Sequence, residues 1–279
     1  MTDFPRNTGQ LDDFSGPARA WRPSTAVQLT MLIHLAALIA LLFRPAWWPW
    51  VVTVLVANHL ALGLIGMWPR SSLLGENMTR LPDAAARRGE IAVTFDDGPH
   101  PEITPMVLDI LDCYGVKASF FCVGEKAAAH PDIIREIVSR GHAIENHSMR
   151  HSGFFGFYGP VALRRDIGAA QSVLGSIAGR PPRFFRAPMG IRNPMLDAVV
   201  TRMGLHYISW TRRGFDTIAR NPGVVLKRLL DGLAGGDILL LHDGRSMHGS
   251  PIVLTVLPAL LEKLSATGLK PVSLTMAML

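Results

Sequence analysis

The chain has 279 residues, 48% hydrophobic and 18% charged, with a formal net charge of +6; an average soluble protein carries about 25% charged residues. The basic residues are scattered arginines with few lysines and no block of one sign. That pattern argues against a nucleic-acid partner and fits attraction to an anionic lipid surface. Two cysteines, Cys113 and Cys122, cannot build a disulfide framework; each lies in an apolar stretch and is expected as a buried, reduced thiol.

The apolar excess is concentrated before residue 70. Residues 1–25 form a polar leader, and two uncharged runs follow, Ala26 to Phe43 and Val51 to Met67. At about 1.5 Å per residue each run just spans a hydrocarbon core of roughly 30 Å. Between them stands RPAWWPW, whose prolines force a turn and whose tryptophans suit a headgroup layer. A two-helix transmembrane hairpin over 26–68 is therefore expected. A cleavable signal peptide fits less well, because no A-x-A site follows the first run. A buried helical pair would normally show a polar face. His34, Asn58 and His59 are polar residues inside the runs; pairing across the hairpin, contact with a lipid-linked substrate and mere tolerance all remain open. Arg6, Arg19 and Arg22 precede the first run, Arg70, Arg80, Arg87 and Arg88 follow the second, and only Arg44 lies between. The positive-inside rule then puts both termini, and the rest of the chain, on the cytoplasmic face of the inner membrane.

Residues 69–89 read as a linker. From Glu90 to 279, short runs of β-type composition alternate with helical stretches, at 91–95, 118–123, 142–146, 183–187, 205–210, 237–242 and 271–275. Alternation of this kind predicts parallel strands with right-handed crossovers. Some seven repeats predict an α/β fold, a distorted (β/α) barrel of about seven parallel strands, with an open doubly wound sheet as the alternative.

Polar residues stand where these strands end. Asp96 and Asp97 follow the first, His147 the third, Arg186 ends the fourth, Trp210 the fifth and His242 the sixth. In a parallel barrel all of these positions share one rim, where catalytic groups gather. TFDDGPHP, from Thr94 to Pro101, is taken alone good turn chemistry as well as a carboxylate pair. His147 and His151, four apart, can reach one cation, although such a pair alone is a weak signal. With an Asp on the same rim they make a facial set that leaves positions open for water and substrate.

Four motifs in order carry a family resemblance: TFDDGP, H-S-x-x-H at 147–151, R-A-P-M-G at 186–190 and L-L-H at 240–242. With them the chain from about residue 90 to 275 resembles the polysaccharide deacetylases, the NodB-homology domain of carbohydrate esterase family four. The resemblance implies a divalent metal, usually Zn2+, held by Asp97, His147 and His151. It implies Asp96 as general base, Arg186 as the residue that orients it and His242 as general acid. The backbone N–H of Met189, after Pro188, would face the oxyanion, and Trp210 would line the sugar pocket. Two departures stand out. Met189 replaces a frequent aromatic residue, and in SWTRRGFDT the partner of His242 is ambiguous, Asp216 with Asp243 as competitor. The expected activity is N-deacetylation of an acylated amino sugar in a membrane-associated glycan or glycolipid, with membrane lipids as further partners. An extracytoplasmic peptidoglycan or exopolysaccharide deacetylase is the enzyme-level alternative, and a silent glycan-binding protein the other. His100, His130, His142, His206 and His248 have no motif behind them and are expected in surface or packing roles.

Overall fold

The computed structural model describes residues 19–244 and 251–278; Arg6 and His248 fall outside them. Two helices lead, α1 (Thr25–Phe43) and α2 (Trp48–Gly66), joined by a 3-10 turn at Pro45–Trp47. Ser24 caps α1, its hydroxyl accepting the Val27 N–H at 3.4 Å. Pro49 lies in the first turn of α2, where its missing N–H is no loss. With mean hydropathies of 2.2 and 1.6, both segments are long and apolar enough to cross a membrane. No residue of α1 is buried. The polar residues of the hairpin meet across it: the Thr30 hydroxyl donates to Asn58 at 3.3 Å, and the His34 and His59 rings stand edge to face at 5.2 Å.

The rest of the chain alternates strand and helix. After α3 (Asp83–Arg87) come β1 (Glu90–Asp96), α4 (Ile103–Cys113), β2 (Ser119–Cys122), α5 (Gly124–Ala129), α6 (Pro131–Ser139), β3 (Ala143–Asn146) and α7 (Pro160–Ala178). There follow β4 (Phe184–Phe185), α8 (Leu196–Arg202), β5 (His206–Tyr207), β6 (Arg212–Arg213), α9 (Pro222–Leu230), β7 (Ile238–His242), α10 (Val253–Thr267), β8 (Lys270–Val272) and α11 (Leu274–Ala277). The strands pair in parallel in the order β5-β4-β3-β2-β1-β7-β6, with β8 beside the opening residues of β1. This is the distorted barrel expected from the sequence, with one addition. Strand β6 escapes the apolar pattern because it consists of Arg212 and Arg213. The gap between β5 and β7 is stitched by residues before β1. The Met78 N–H donates to Tyr207 O at 3.1 Å, Met78 O accepts the Ser209 N–H at 3.0 Å, and the Leu81 N–H donates to Gly236 O at 2.8 Å.

Strand alternation sorts the side chains into two sets. Ile91, Val93 and Phe95 of β1 pack outward with Leu239 and Leu241 of β7, under the helices. Ala92, Ile238 and Leu240 face the barrel interior with Phe121 and Trp210. By the same period Asp96 and His242 face inward, and they are direct neighbours in the β1–β7 register. Cys122 is buried, but Cys113 is exposed, contrary to expectation. The buried stripe of α4 runs through Val107, Leu108 and Leu111, and Cys113, two residues on, turns away from it.

The hairpin joins the barrel at the rim where the strands end. Gly66 O, at the end of α2, accepts the Arg192 N–H at 3.1 Å. Gly190 has φ 72°, and a Cβ there would lie 2.7 Å from the Trp210 ring and 2.8 Å from Pro69, so only glycine fits. On the other side Trp21 donates its indole N–H to Asp197 at 2.8 Å.

Candidate active site

Asp96 ends β1 pointing into the barrel and is buried. Its Oδ1 accepts from the Arg186 guanidinium at 2.6 Å. Arg186 is fully buried, donates also to Thr94 Oγ1 at 2.9 Å and Ser209 O at 2.8 Å, and lies 4.0 Å from the centre of the Phe121 ring. A buried guanidinium needs this set of partners, because a lone charge would be strongly destabilising there. Asp97, the next residue, takes a left-handed backbone with φ 73°, which sends its carboxylate toward the histidines instead of the Arg186 side. The Lys126 ammonium holds its carbonyl at 2.6 Å.

His147 and His151 reach Asp97 Oδ1 through their Nε2 atoms, at 3.4 and 3.0 Å. The three ligand atoms lie within 4.8 Å of one another. The other ring nitrogen of His147, Nδ1, is 2.8 Å from Arg186 O and must be the donor, so the Nε2 lone pair faces the cluster. One carboxylate and two such imidazoles, with room beside them, are a donor set that fits a small divalent cation. Burial alone would raise the Asp97 carboxyl, but the imidazoles outweigh it and hold it well below the usual carboxylate range. The loop between the histidines is pinned from below: Asn146 Oδ1 accepts the Ser148 N–H at 2.9 Å, Ser148 Oγ the His151 N–H at 3.0 Å, and Asp166 the Met149 N–H at 2.9 Å.

His242 lies beside Asp96, and Asp216 holds it twice. One carboxylate oxygen is 2.8 Å from Nδ1 and the other accepts the His242 backbone N–H at 2.8 Å. Burial works against the imidazolium, but the Asp216 charge and hydrogen bond prevail and the pKa is raised. Asp243 turns the other way. It accepts from the Thr104 hydroxyl at 2.6 Å and packs against Gly98, where any Cβ would strike its carboxylate. Burial lifts the Asp243 carboxyl to about 7.

Asp96, Asp97, His147, His151, Met189, Trp210 and His242 line one cavity of about 220 Å³. Pro188, next to Met189, is buried. Among the described residues five non-glycine residues have positive φ: Asp97, Ser148, His151, Met189 and Phe215. All lie in or directly beside this rim, where backbone strain commonly marks function.

The model of the polysaccharide deacetylase family matches residues 83–208. A chitooligosaccharide deacetylase of Azorhizobium caulinodans is 38% identical over 158 residues, 56% of this chain and 75% of that protein. The chain belongs to the polysaccharide deacetylase family. A peptidoglycan-N-acetylglucosamine deacetylase of Bacillus cereus is 30% identical over 187 residues, 66% of this chain and 86% of that protein. Among solved structures, a family 4 acetyl xylan esterase from Clostridium thermocellum, in complex with a cobalt ion, superposes with a TM-score of 0.63. It is 32% identical, and the match covers 68% of this chain and 90% of that one.

Some residues that shape the cavity of this polysaccharide deacetylase were given no role by its motifs. Arg213 and Thr217 line it, while Phe121 and Thr94 hold Arg186 from beneath. Thr94 was detectable as an inward-facing polar residue two before Asp96. Arg213 gave no signal apart from an ordinary solvated charge. Of the unassigned histidines, His206 is 2.9 Å from Glu76 and His142 is buried in the outer layer.

Proposed function

We propose that this chain is a metal-assisted N-deacetylase of amino sugars. The observation that carries this reading is the convergence of Asp96, Asp97, His147, His151 and His242 on one cavity. The names of the chitooligosaccharide and peptidoglycan-N-acetylglucosamine deacetylases support an N-acetylated glucosamine unit as the group acted on. Asp97, His147 and His151 would hold a divalent cation, zinc by the resemblance, which when bound supplies a Lewis acid for the acyl carbonyl and the attacking water.

The remaining chemistry belongs to the chain. Asp96 Oδ1 is committed to Arg186, so Oδ2, 3.8 Å from His147 Nε2, takes the proton from water as its oxygen attacks the acyl carbon. The Met189 N–H donates to the oxyanion that forms. His242, held by Asp216 through Nδ1, gives its Nε2 proton to the amide nitrogen. The C–N bond breaks, leaving acetate and a free amine. Arg186 touches none of the reacting atoms and acts by positioning Asp96.

The hairpin over 26–68 supports a membrane-attached enzyme whose domain from residue 90 works on a membrane-associated glycan or lipid-linked saccharide. The arginine surplus flanking the hairpin supports a cytoplasmic barrel. Protection of a carboxyl-terminal tag from external protease in intact cells is the expected result; cleavage would put the barrel outside.

Acetate release from N-acetylated oligosaccharides and lipid-linked amino sugars tests the activity. Release is expected with zinc, should stop with chelator, and should fall about 10²–10⁴-fold in Asp96→Asn. A folded, metal-loaded protein that releases no acyl group from any substrate would sink the reading.

A further inference from the structure

Beside the catalytic cavity lies a second one, of about 670 Å³, to which the mechanism gives no task. Trp210 and Arg213 line both, so the two are neighbours that share a wall. One wall is the end of the hairpin, with Leu64, Met67 and Trp68, all largely exposed. Three arginines enter from separate elements: Arg70 after α2, Arg213 from β6 and Arg228 from α9. Among the described residues none of the three has a carboxylate partner. Arg70 donates to Thr211 O at 3.2 Å, and Arg228 to Gly214 O at 3.5 Å. The fourth arginine of the lining, Arg212, pairs at 2.7 Å with Asp237, which Arg80 shares, and Asp231 is the single acidic residue among the described residues of the lining.

Two of these guanidinium groups lie over aromatic rings. Arg213 lies 5.3 Å from the Trp210 ring and 4.9 Å from the Phe215 ring, and Arg228 lies 5.4 Å from Phe215. Arg213 Nε is buried with no hydrogen-bond partner among the described residues. A guanidinium stacked on a ring keeps its N–H edge for an anion, and its planar fork suits phosphate oxygens. An uncharged glycan would leave these cations without a counter-charge beside an apolar helix end. A phosphorylated lipid satisfies both.

We propose that this cavity receives the phosphate linking an amino sugar to a membrane lipid, an assignment that rests on the deacetylase reading of the adjoining cavity. The lipid lies along the exposed end of α2, the phosphate on Arg70, Arg213 and Arg228, and the sugar passes Trp210 to reach the catalytic rim. Trp68 and Trp210 stand at the two ends of that path.

The test uses the full chain, zinc-loaded, in lipid nanodiscs. Two substrates are compared: N-acetylglucosamine joined through phosphate to a fifteen-carbon isoprenoid, and an N-acetylglucosamine oligomer. In Arg70→Gln/Arg228→Gln the ratio of kcat/KM for the first over the second is expected to fall about tenfold or more, the scale of losing charge-assisted contacts. An unchanged ratio with both substrates hydrolysed would overturn the subsite. Binding of farnesyl phosphate, followed by tryptophan fluorescence, reads the subsite without turnover and should weaken by a similar factor. If no substrate is hydrolysed but this binding and its loss persist, the deacetylase reading fails while the subsite stands. Equal affinity for short-chain phosphatidylglycerol or for inorganic phosphate would overturn it in favour of a general headgroup or anion site. Should the double variant not fold, Arg228→Gln alone is compared with Arg228→Lys, which is expected to retain most of the binding.

Discussion

Phe120 and Phe121 are neighbours on β2 and both are fully buried, yet they serve different parts of the molecule. Phe120 stacks on Phe95 at 5.0 Å and meets His142 edge-on at 5.6 Å, in the layer between the strands and the helices. Phe121 faces the barrel interior and lies under the Arg186 guanidinium. The same alternation divides Phe95 from Asp96 and Leu241 from His242. Outside, the strands bury apolar groups that repay their ordering by leaving water. Inside, the sequence rises from Ala92 and Ile238 to charged groups at the rim. Those groups must be desolvated and mutually partnered, which is unfavourable unless every partner is present. The left-handed residues are also on the rim, at about 1–3 kcal/mol each. Stability therefore resides mainly in the outer layer, and the candidate chemistry occupies the side where folding gains least.

Substitution of the two phenylalanines breaks or sharpens this contrast most directly. Phe120→Ala is expected to lower the unfolding free energy by about 3–5 kcal/mol, with kcat/KM of the folded protein unchanged. Phe121→Ala should lower both, because Arg186 loses the ring that supports it. Urea denaturation and acetate release at matched folded fraction would show the difference. An active-site loss in the Phe120 variant equal to that in the Phe121 variant would dissolve the division.

A somewhat smaller effect should come from pH, through a titratable group in the outer layer. His142 Nδ1 accepts the Ala118 N–H at 3.1 Å, and burial, helped by Lys117, pushes the imidazole down from 6.5 to about 4. Between those values the unfolded chain binds a proton that the folded chain does not, so stability rises with pH across the window. Lowering the pH from 6.5 to 4 should then remove about 3 kcal/mol. His142→Gln keeps an acceptor without the titration. The wild-type chain should lose more stability than the variant between pH 7 and pH 4.5, by urea midpoint. Equal losses would mean that the outer layer has no part in the acid response.

The parallel strands and the rim were legible because apolar runs with polar ends are a direct consequence of parallel strands buried on both sides. Asp96, His147, Arg186 and His242 each stand at such an end. Less was legible where contacts come from outside the pattern. The stitch made by residues 78–81 depends on hydrogen bonds from a segment that reads as linker. Cys113 was misplaced because an apolar stretch does not reveal which side of a helix a residue faces near its last turn. The choice between Asp216 and Asp243 was within reach of strand geometry. A residue adjacent to His242 on a strand points to the opposite face, so Asp243 goes to Thr104 on α4. Asp216 reaches His242 from 26 residues away, after the left-handed turn at Phe215 with φ 60°, which no spacing rule encodes.

That pairing makes the smallest and most discriminating prediction. Asp216→Asn leaves an oxygen for the His242 backbone N–H but removes the charge beside Nδ1. The Asp216 charge is what raises the His242 pKa against its burial, so the variant's imidazole should lose its proton at lower pH. A general acid must be protonated to act, and activity falls as pH rises through its pKa. The alkaline limb of the kcat/KM profile should therefore move to lower pH. Above that limb the rate should drop about 10–100-fold, as expected when a supporting partner is lost. On the acid side, where His242 is protonated in both proteins, the difference should shrink. A purely structural role for Asp216 would lower the whole profile evenly and leave the limb in place. In that case the inward face would depend on Asp216 for its shape, and the proton would have to come from another group.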